Sequence, residues 1–313
     1  MNRSDQKQWT RRDCLRSGVA TATGVTSLAL GATAADAERP KPISVISFNI
    51  LAGGRRGLEA CAKLITDSGA DLCGLQEVNR SAAKLAELTG FHRFERGGKQ
   101  ILSRYPIGEA TPNKRGVKID VPGTQGIWFF NDHFRPAPYQ PYQLAQIPYG
   151  NNNPFITTEE EAISEANRAR GDEVEALLND MKPALKSGLP VILTGDFNEP
   201  SHLDWTAKAA EAKCCKIPVK WPASTRLTDA GLHDMYRTVF PDAIDRPGHT
   251  WTPTPAKRDV PDRIDIIYAK GLKPESVAVI GEPKENADIV VDPFPSDHRA
   301  VLAKLSLLPK EKK

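Results

Sequence analysis

The sequence predicts an α/β (α+β) fold in which one domain of mixed strands and helices follows a removable leader. Three observations carry this. Short apolar runs bounded by glycine, proline and asparagine recur along the chain. Capped helical stripes stand between several of them. No internal repeat and no Gly/Ser linker divides the 313 residues, a length that suits one large domain or two small ones.

The leader has three parts. Residues 10–16 (TRRDCLR) are polar with paired arginines, residues 18–34 are mildly apolar, and Ala35-Asp36-Ala37 has the small-x-small form of a cleavage site. This is the pattern of a secretory signal, and Arg11-Arg12 assigns it to twin-arginine export. The expectation is a signal peptide over 1–37, a mature chain over 38–313, and a periplasmic or secreted location reached through the export machinery. An uncleaved anchor fits the weakly hydrophobic core less well, and no cysteine near the cut supports lipid attachment.

Beyond the leader no stretch is long and apolar enough to span a bilayer. The leader holds five Lys or Arg and three Asp, leaving 37 basic and 36 acidic residues in the body. A near-neutral body does not hold long polyanions by charge alone. Of the body cysteines, Cys61 and Cys73 fall in a helix and a strand pattern and read as buried thiols. Cys214 and Cys215 either pair elsewhere or stay free, and no spacing suggests zinc.

Residues 43–50 (ISVISFNI) predict the first strand. Leu58, Cys61, Ala62, Leu64 and Ile65 form a core-facing helical stripe that ends at Gly69. Residues 71–75 predict a second strand with Gln76-Glu77 at its exit, and 81–88 a short helix. Residues 100–107 read as a strand and turn. Residues 126–134 (GIWFFNDHF) read as a strand carrying Asn131 and His133 on one face. Residues 136–157 hold five prolines, three consecutive asparagines and three of the six tyrosines, Tyr139, Tyr142 and Tyr149. That composition predicts a lid or binding loop without regular structure. Thr158, with Glu161 completing a capping box, opens a helical stretch reaching 186. Residues 189–193 predict a buried strand that delivers Asp196 and Asn198 at its exit; an Asx turn capping a helix near Ser201 is the competing reading. A helix over 203–213 and strands over 263–268, 276–280 and 299–308 complete the chain.

Polar groups therefore gather at strand ends: Asn49, Glu77, Asn131 with His133, Asp196 with Asn198, Asp262 with Asp265, and Asp297 with His298. Carboxylates and amide oxygens suit a hard cation such as Mg²⁺. Imidazole beside carboxylate suits proton transfer, and further donors suit a developing negative charge. The set fits metal-assisted attack of water on a phosphoester. Each residue alone has a plainer reading, such as a surface carboxylate for Glu77, a half-buried histidine for His133 and a local ion pair for Asp262.

Here the chain resembles the endonuclease/exonuclease/phosphatase superfamily, also called the deoxyribonuclease-like fold. The resemblance rests on SFNI at 47–50, LQEV at 75–78, ILSRYPI at 101–107, NDHF at 131–134, GDFN at 195–198, DRIDII at 262–267 and SDH at 296–298, in family order. It implies a four-layered sandwich, with two central mixed β-sheets flanked by helices. It implies metal ligation by Glu77, Asn49 and Asp297, with Mg²⁺ expected and Mn²⁺ or Ca²⁺ as alternatives. It assigns Asp196 and Asn198 to orienting water and phosphate, and His133 to the non-bridging oxygens. His298 is implied as general base or as the group steadying the phosphoryl oxygens, with Asp265 or Asp262 orienting it. Phe134 stands where the family usually has leucine. Weaker substrate contacts are Arg170, Asn131, His249 and Tyr142. The function expected is an exported metal-dependent phosphoesterase acting on a mono- or diester, with a small or lipid-linked substrate preferred. A secreted Mg²⁺-dependent nuclease and a non-catalytic binding module on the same fold are the alternatives. No obligate protein partner is expected.

Overall fold

The computed structural model describes residues 41–149, 154–252 and 259–309; the leader reading lies outside these residues. The first sheet contains β1 (Ile43–Asn49), β2 (Leu72–Gln76), β3 (His92–Arg96), β4 (Lys99–Ser103), β11 (Leu272–Gly281), β12 (Ile289–Val290) and β13 (Ala300–Leu307). The second contains β5 (Ile107–Ala110), β6 (Gly116–Ile119), β7 (Ile127–His133), β8 (Val191–Asp196), β9 (His233–Asp234) and β10 (Asp265–Lys270). Their orders are β12-β11-β13-β1-β2-β4-β3 and β5-β6-β7-β8-β10-β9. Each sheet is mixed, with a parallel pair near its centre, β1 with β2 and β7 with β8, and the first sheet has another at its edge, β11 with β12.

The alternation of side chains along a strand explains the layers. In β1, Val45 faces inward to a core shared with Leu72, Phe129, Ile192, Ile267 and Ala303 of both sheets. Its neighbours Ile46 and Phe48 face outward, onto Leu64, Ile65 and Leu85. Those outer residues belong to α2 (Leu58–Asp67) and α3 (Ala82–Thr89). On the far side Phe130, Leu193 and Tyr268 pack against Val174, Leu177, Met181 and Leu227, supplied by α5 (Glu159–Lys186) and α7 (Pro222–Asp229). Two sheets face to face with helices outside form the expected four-layered sandwich. Among the described residues no helix is long and apolar enough to cross a membrane.

Thr158 caps α5 as expected: the Glu161 amide donates to Thr158 Oγ1 at 3.2 Å, and Glu161 Oε2 accepts from the Thr158 amide at 3.1 Å. Three expectations differ. The stretch 136–157 contains a regular element after all, α4 (Gln140–Leu144); Pro141 sits in its first turn, where a missing N–H costs nothing. The helix expected over 203–213 contracts to α6 (Ala207–Glu211), capped by Thr206. The short strands β3, β5, β6, β9 and β12 were not anticipated, because strands of two to five residues with charged or exposed positions carry little periodic signal. Cys61 and Cys73 are buried and free; Cys214 is exposed and Cys215 half-buried, and both are free.

Behind the end of the sandwich where β1, β2, β7 and β8 leave their sheets runs a polar seam. Asn131 Nδ2 donates to Leu75 O at 2.8 Å and Gln100 O at 3.0 Å, while its Oδ1 accepts from Gln76 Nε2 at 2.6 Å and Thr194 Oγ1 at 3.1 Å. A side chain on Gly74 would collide with Thr194, its Cβ only 1.8 Å from Oγ1. Glycine there is what lets the sheets approach closely enough for the seam to form.

Candidate active site

Strand register brings the polar residues together. In the second sheet His133 of β7 stands opposite Asp196 of β8, and Asp196 stands opposite Asp265 of β10. One row across three strands thus carries an imidazole and two carboxylates. In the first sheet Asn49 pairs with Gln76, so Glu77 emerges one residue beyond. The antiparallel β13 begins at the same edge, which places Asp297 and His298 there. The result is a cleft of about 130 Å³ lined by Glu77, His133, Asp196, Asn198, Asp297 and His298, with Pro136, Tyr139, Tyr149 and Trp251 on its margin.

Glu77 and Asn198 both adopt left-handed backbone conformations, with φ of 57° and 48°. Such conformations cost non-glycine residues energy and persist where surrounding contacts over-determine them. Glu77 Oε2 accepts from the Ala52 amide at 2.7 Å, and its carbonyl accepts from Gly53 N at 2.7 Å. The Asn198 amide donates to Asp196 Oδ1 at 3.0 Å, and its Nδ2 donates to Phe134 O at 2.9 Å. The Asx turn considered from sequence therefore exists, yet it opens on the cleft and no helix follows at Ser201. Phe134, in place of leucine, packs edge-on against Phe197 beneath this turn, ring centroids 5.3 Å apart.

Asn49 is fully buried. Its Nδ2 donates to Glu77 Oε1 at 3.2 Å and Asp196 Oδ2 at 3.0 Å, and its Oδ1 accepts from Leu51 N. Positioned this way it ties two carboxylates of the cleft together with its amide nitrogen, and its oxygen is turned to the backbone.

His298 Nδ1 donates to Asp265 Oδ2 at 2.9 Å and stands 3.8 Å from Asp196 Oδ2. Burial alone would depress this imidazole. The Asp265 and Asp196 carboxylates outweigh burial and hold it up at about 10. Burial raises Asp265 above the ordinary carboxylate range, opposed by His298. His133 Nε2 lies 3.4 Å from Asp196 Oδ2. Asp262, the other residue considered for orienting His298, points elsewhere. It accepts from Tyr139 Oη at 2.7 Å and Trp205 Nε1 at 2.9 Å, and burial pushes it up to about 7.

Asp196, Asp265 and His298 each place a potential ligand atom within 4.8 Å of the others. His298 Nδ1 is engaged by Asp265, however, and a hard cation prefers oxygen. Glu77, Asp196 and Asp297 also bring carboxylate oxygens to the cleft, although Asp196 is buried and the three are not gathered as closely as that first group. No lysine or arginine is among the described lining residues. Carboxylates facing the cleft repel an entering anion, and their oxygens are the donor type a hard cation takes.

Four anticipated substrate contacts lie outside the cleft. Asn131 is spent in the intersheet seam. Arg170 is buried, donating to Glu199, Gln140 and the carbonyls of Arg135 and Pro138, and so fastens the start of the 136–157 loop to α5. His249 lies on a separate surface pocket with Tyr236 and Arg246. Tyr142 is buried beneath Tyr149, its hydroxyl donating to Asp259. Two of the three loop tyrosines, Tyr139 and Tyr149, do line the cleft, and so does Trp251. Nothing in spacing tells which tyrosine of the loop faces inward, although Tyr139 and Tyr142, three apart at a helical turn, share a side.

The endonuclease/exonuclease/phosphatase family profile matches residues 46–298. The chain belongs to this family. It is 27% identical over 298 residues to an uncharacterized protein of Caenorhabditis elegans, F14F9.5, covering 83% of this chain and 90% of the relative. Among solved structures it is similar to an endonuclease/exonuclease/phosphatase from Bacteroides vulgatus (TM-score 0.56, 16% identity, 85% of this chain and 99% of that one). It is also similar to D. rerio TDP2 complexed with a single-strand DNA product (TM-score 0.53, 16% identity, 85% and 99%). These structural likenesses carry the fold. Family members are typically phosphoester hydrolases.

Proposed function

We propose that this protein is an exported, Mg²⁺-dependent phosphoesterase that hydrolyses a compact phosphate mono- or diester by in-line attack of water. The observation that carries the reading is the convergence of Glu77, Asp196, Asn198, Asp297, His133 and His298 on one open cleft from four strand ends, those of β2, β7, β8 and β13. Glu77 and Asp297, with Asp196 beside them, would hold the cation. When bound, it neutralises charge on the phosphoryl group and at the developing oxyanion. Asn49 fixes the separation of Glu77 and Asp196 by donating to both. Asp196, with Asn198 turned back onto it, orients the water and accepts its proton. His298, held cationic by Asp265 and Asp196, donates to the phosphoryl oxygens or the departing alkoxide. Of the two roles considered for it, that of donor fits a raised imidazole better than that of base. His133 donates from the opposite side.

A small or lipid-linked ester is preferred to duplex DNA, because the body is near neutral and the cleft is narrowed by aromatic residues. Export is supported by the twin-arginine pattern of residues 10–16, which implies delivery of a folded chain to the periplasm or beyond. The test is a phosphoester panel on the purified mature chain. Hydrolysis of bis-p-nitrophenyl phosphate or a phosphosugar should vanish in EDTA and return with Mg²⁺, with Mn²⁺ and Ca²⁺ assayed in parallel. Rapid nicking of supercoiled plasmid would favour the nuclease reading, and full activity in EDTA would refute the metal-assisted mechanism.

A further inference from the structure

The four aromatic residues beside the cleft form two layers. The inner layer is tied down. Tyr139 and Tyr142 are 2% and 5% exposed, pack edge-on at 5.3 Å, and commit their hydroxyls to Asp262 and Asp259. The outer layer is open. Tyr149 is 38% exposed and stands perpendicular to Tyr142 at 5.3 Å. Trp251 rests on both inner rings at 5.6 and 5.7 Å, and its own ring is tilted 34° to His298 at 6.2 Å. The Trp251 backbone is fixed by a two-way bridge to Asp262, and its neighbour Thr250 accepts from the Ile264 and Asp265 amides. A large aromatic surface is thus held rigidly against the polar floor, with Tyr149 and Trp251 both lining the cleft.

Resting on the phosphoesterase reading above, we infer that Tyr149 and Trp251 form a recognition wall for a flat ring carried by the phosphoester. The site then takes ring-bearing esters, of aryl or nucleotide type, in preference to open-chain ones. The floor is polar and anionic, so the apolar part of a substrate finds contact area only on this side. Aromatic faces recognise other π faces with little sequence or substituent demand. Because the inner layer is pinned, the outer rings need little ordering when the substrate arrives.

Calorimetric binding to the Mg²⁺-loaded chain tests this with non-hydrolysable probes. Phenylphosphonate is compared with cyclohexylphosphonate, matched in size and charge but puckered. The methylenephosphonate analogue of uridine 5′-phosphate is compared with that of ribose 5-phosphate. The flat member of at least one pair should bind about three- to tenfold tighter, and which pair discriminates identifies aryl or nucleotide chemistry. The preference should disappear in Tyr149→Leu, a change at the exposed rim, and persist in Tyr149→Phe. Equal binding within both pairs would overturn the proposal. So would a preference that survives both Tyr149→Leu and Trp251→Leu, or one lost in Tyr149→Phe, which would assign recognition to the hydroxyl. The readout is binding alone, so a chain that binds flat probes but hydrolyses nothing would sink the hydrolase reading and leave the wall standing.

Discussion

Asn131 and His133 are two residues apart on one strand and point the same way, yet they live in different worlds. Asn131 is closed into the intersheet seam with every side-chain hydrogen bond made to Leu75, Gln76, Gln100 or Thr194. His133 stands one step further along, facing Asp196 across an open cleft. The same contrast runs along β2, where Gln76 belongs to the seam and Glu77 to the cleft. Polar residues at a strand exit thus serve two ends. The inner ones consume one another and fix the distance between the sheets. The outer ones are left with unspent valence toward whatever enters. Within the seam Asn131 makes hydrogen bonds with both its amide nitrogen and its oxygen, and that closure keeps the open cleft beside it in shape.

The largest effect should come from breaking the open side. Glu77→Gln keeps size and the acceptor for the Ala52 amide but removes the negative charge and the second acceptor, the one facing Asn49 Nδ2. Turnover should fall about a thousandfold, by analogy with other transition-state charge stabilisers, while the urea midpoint barely moves. A Glu77→Gln protein retaining more than about a tenth of wild-type kcat would show that the cleft is not the reaction centre. Breaking the closed side should do the reverse. Asn131→Leu removes the donor to the Leu75 and Gln100 carbonyls and the shortest acceptor of Gln76 Nε2, which keeps only Gly74 O at 3.3 Å and Ser47 Oγ at 3.5 Å, at a cost of about 3 kcal/mol. Denaturant unfolding should report that loss, with kcat falling far less than in Glu77→Gln. Equal stability in Asn131→Leu would mean the seam is ornamental.

This contrast also marks what the sequence made legible. The sandwich, its long strands and the convergence of Asn49, Glu77, Asp196, Asp265, Asp297 and His298 could be read, because each sits at the end of a strongly periodic run. Where each of two neighbouring polar residues points relative to the facing sheet could not. That is set by how closely the sheets approach, and the approach depends on Gly74, a residue with no chemistry to notice. Arg170 failed for a similar reason: an arginine three residues before a glutamate reads as a surface pair, whereas its guanidinium is enclosed by loop carbonyls contributed about thirty residues away. Asp262 and Asp265 were indistinguishable until register set Asp265 opposite Asp196.

The two histidines whose surroundings differ most sharpen the comparison through pH. His298 is held up at about 10 against an ordinary 6.5, because nearby carboxylates overcome burial. Its folded state binds the proton more tightly, so this stabilisation is complete below about pH 6.5 and is lost as pH rises through about 10. His249 is depressed to about 4, chiefly by burial. Its contribution is complete above about pH 6.5 and is lost as pH falls through about 4. In metal-free protein the wild-type urea midpoint should therefore decline on both sides. His298→Gln should flatten the alkaline limb and His249→Gln the acid limb. An alkaline limb unchanged by His298→Gln would place the titrating group elsewhere.

The smallest effect separates the two aromatic layers. Tyr142→Phe removes one hydroxyl that donates to Asp259 at 3.2 Å and leaves the ring stack intact. A single partly solvated hydrogen bond contributes about 1 kcal/mol or less, so the unfolding midpoint should shift slightly and KM should not change. The inner layer acts on substrate only by holding Tyr149 and Trp251 in place, and that is a matter of ring packing, which phenylalanine preserves. If KM instead rose severalfold, the Tyr142 hydroxyl would be reaching substrate, and the division of the wall into a pinned inner face and a receptive outer one would have to be redrawn.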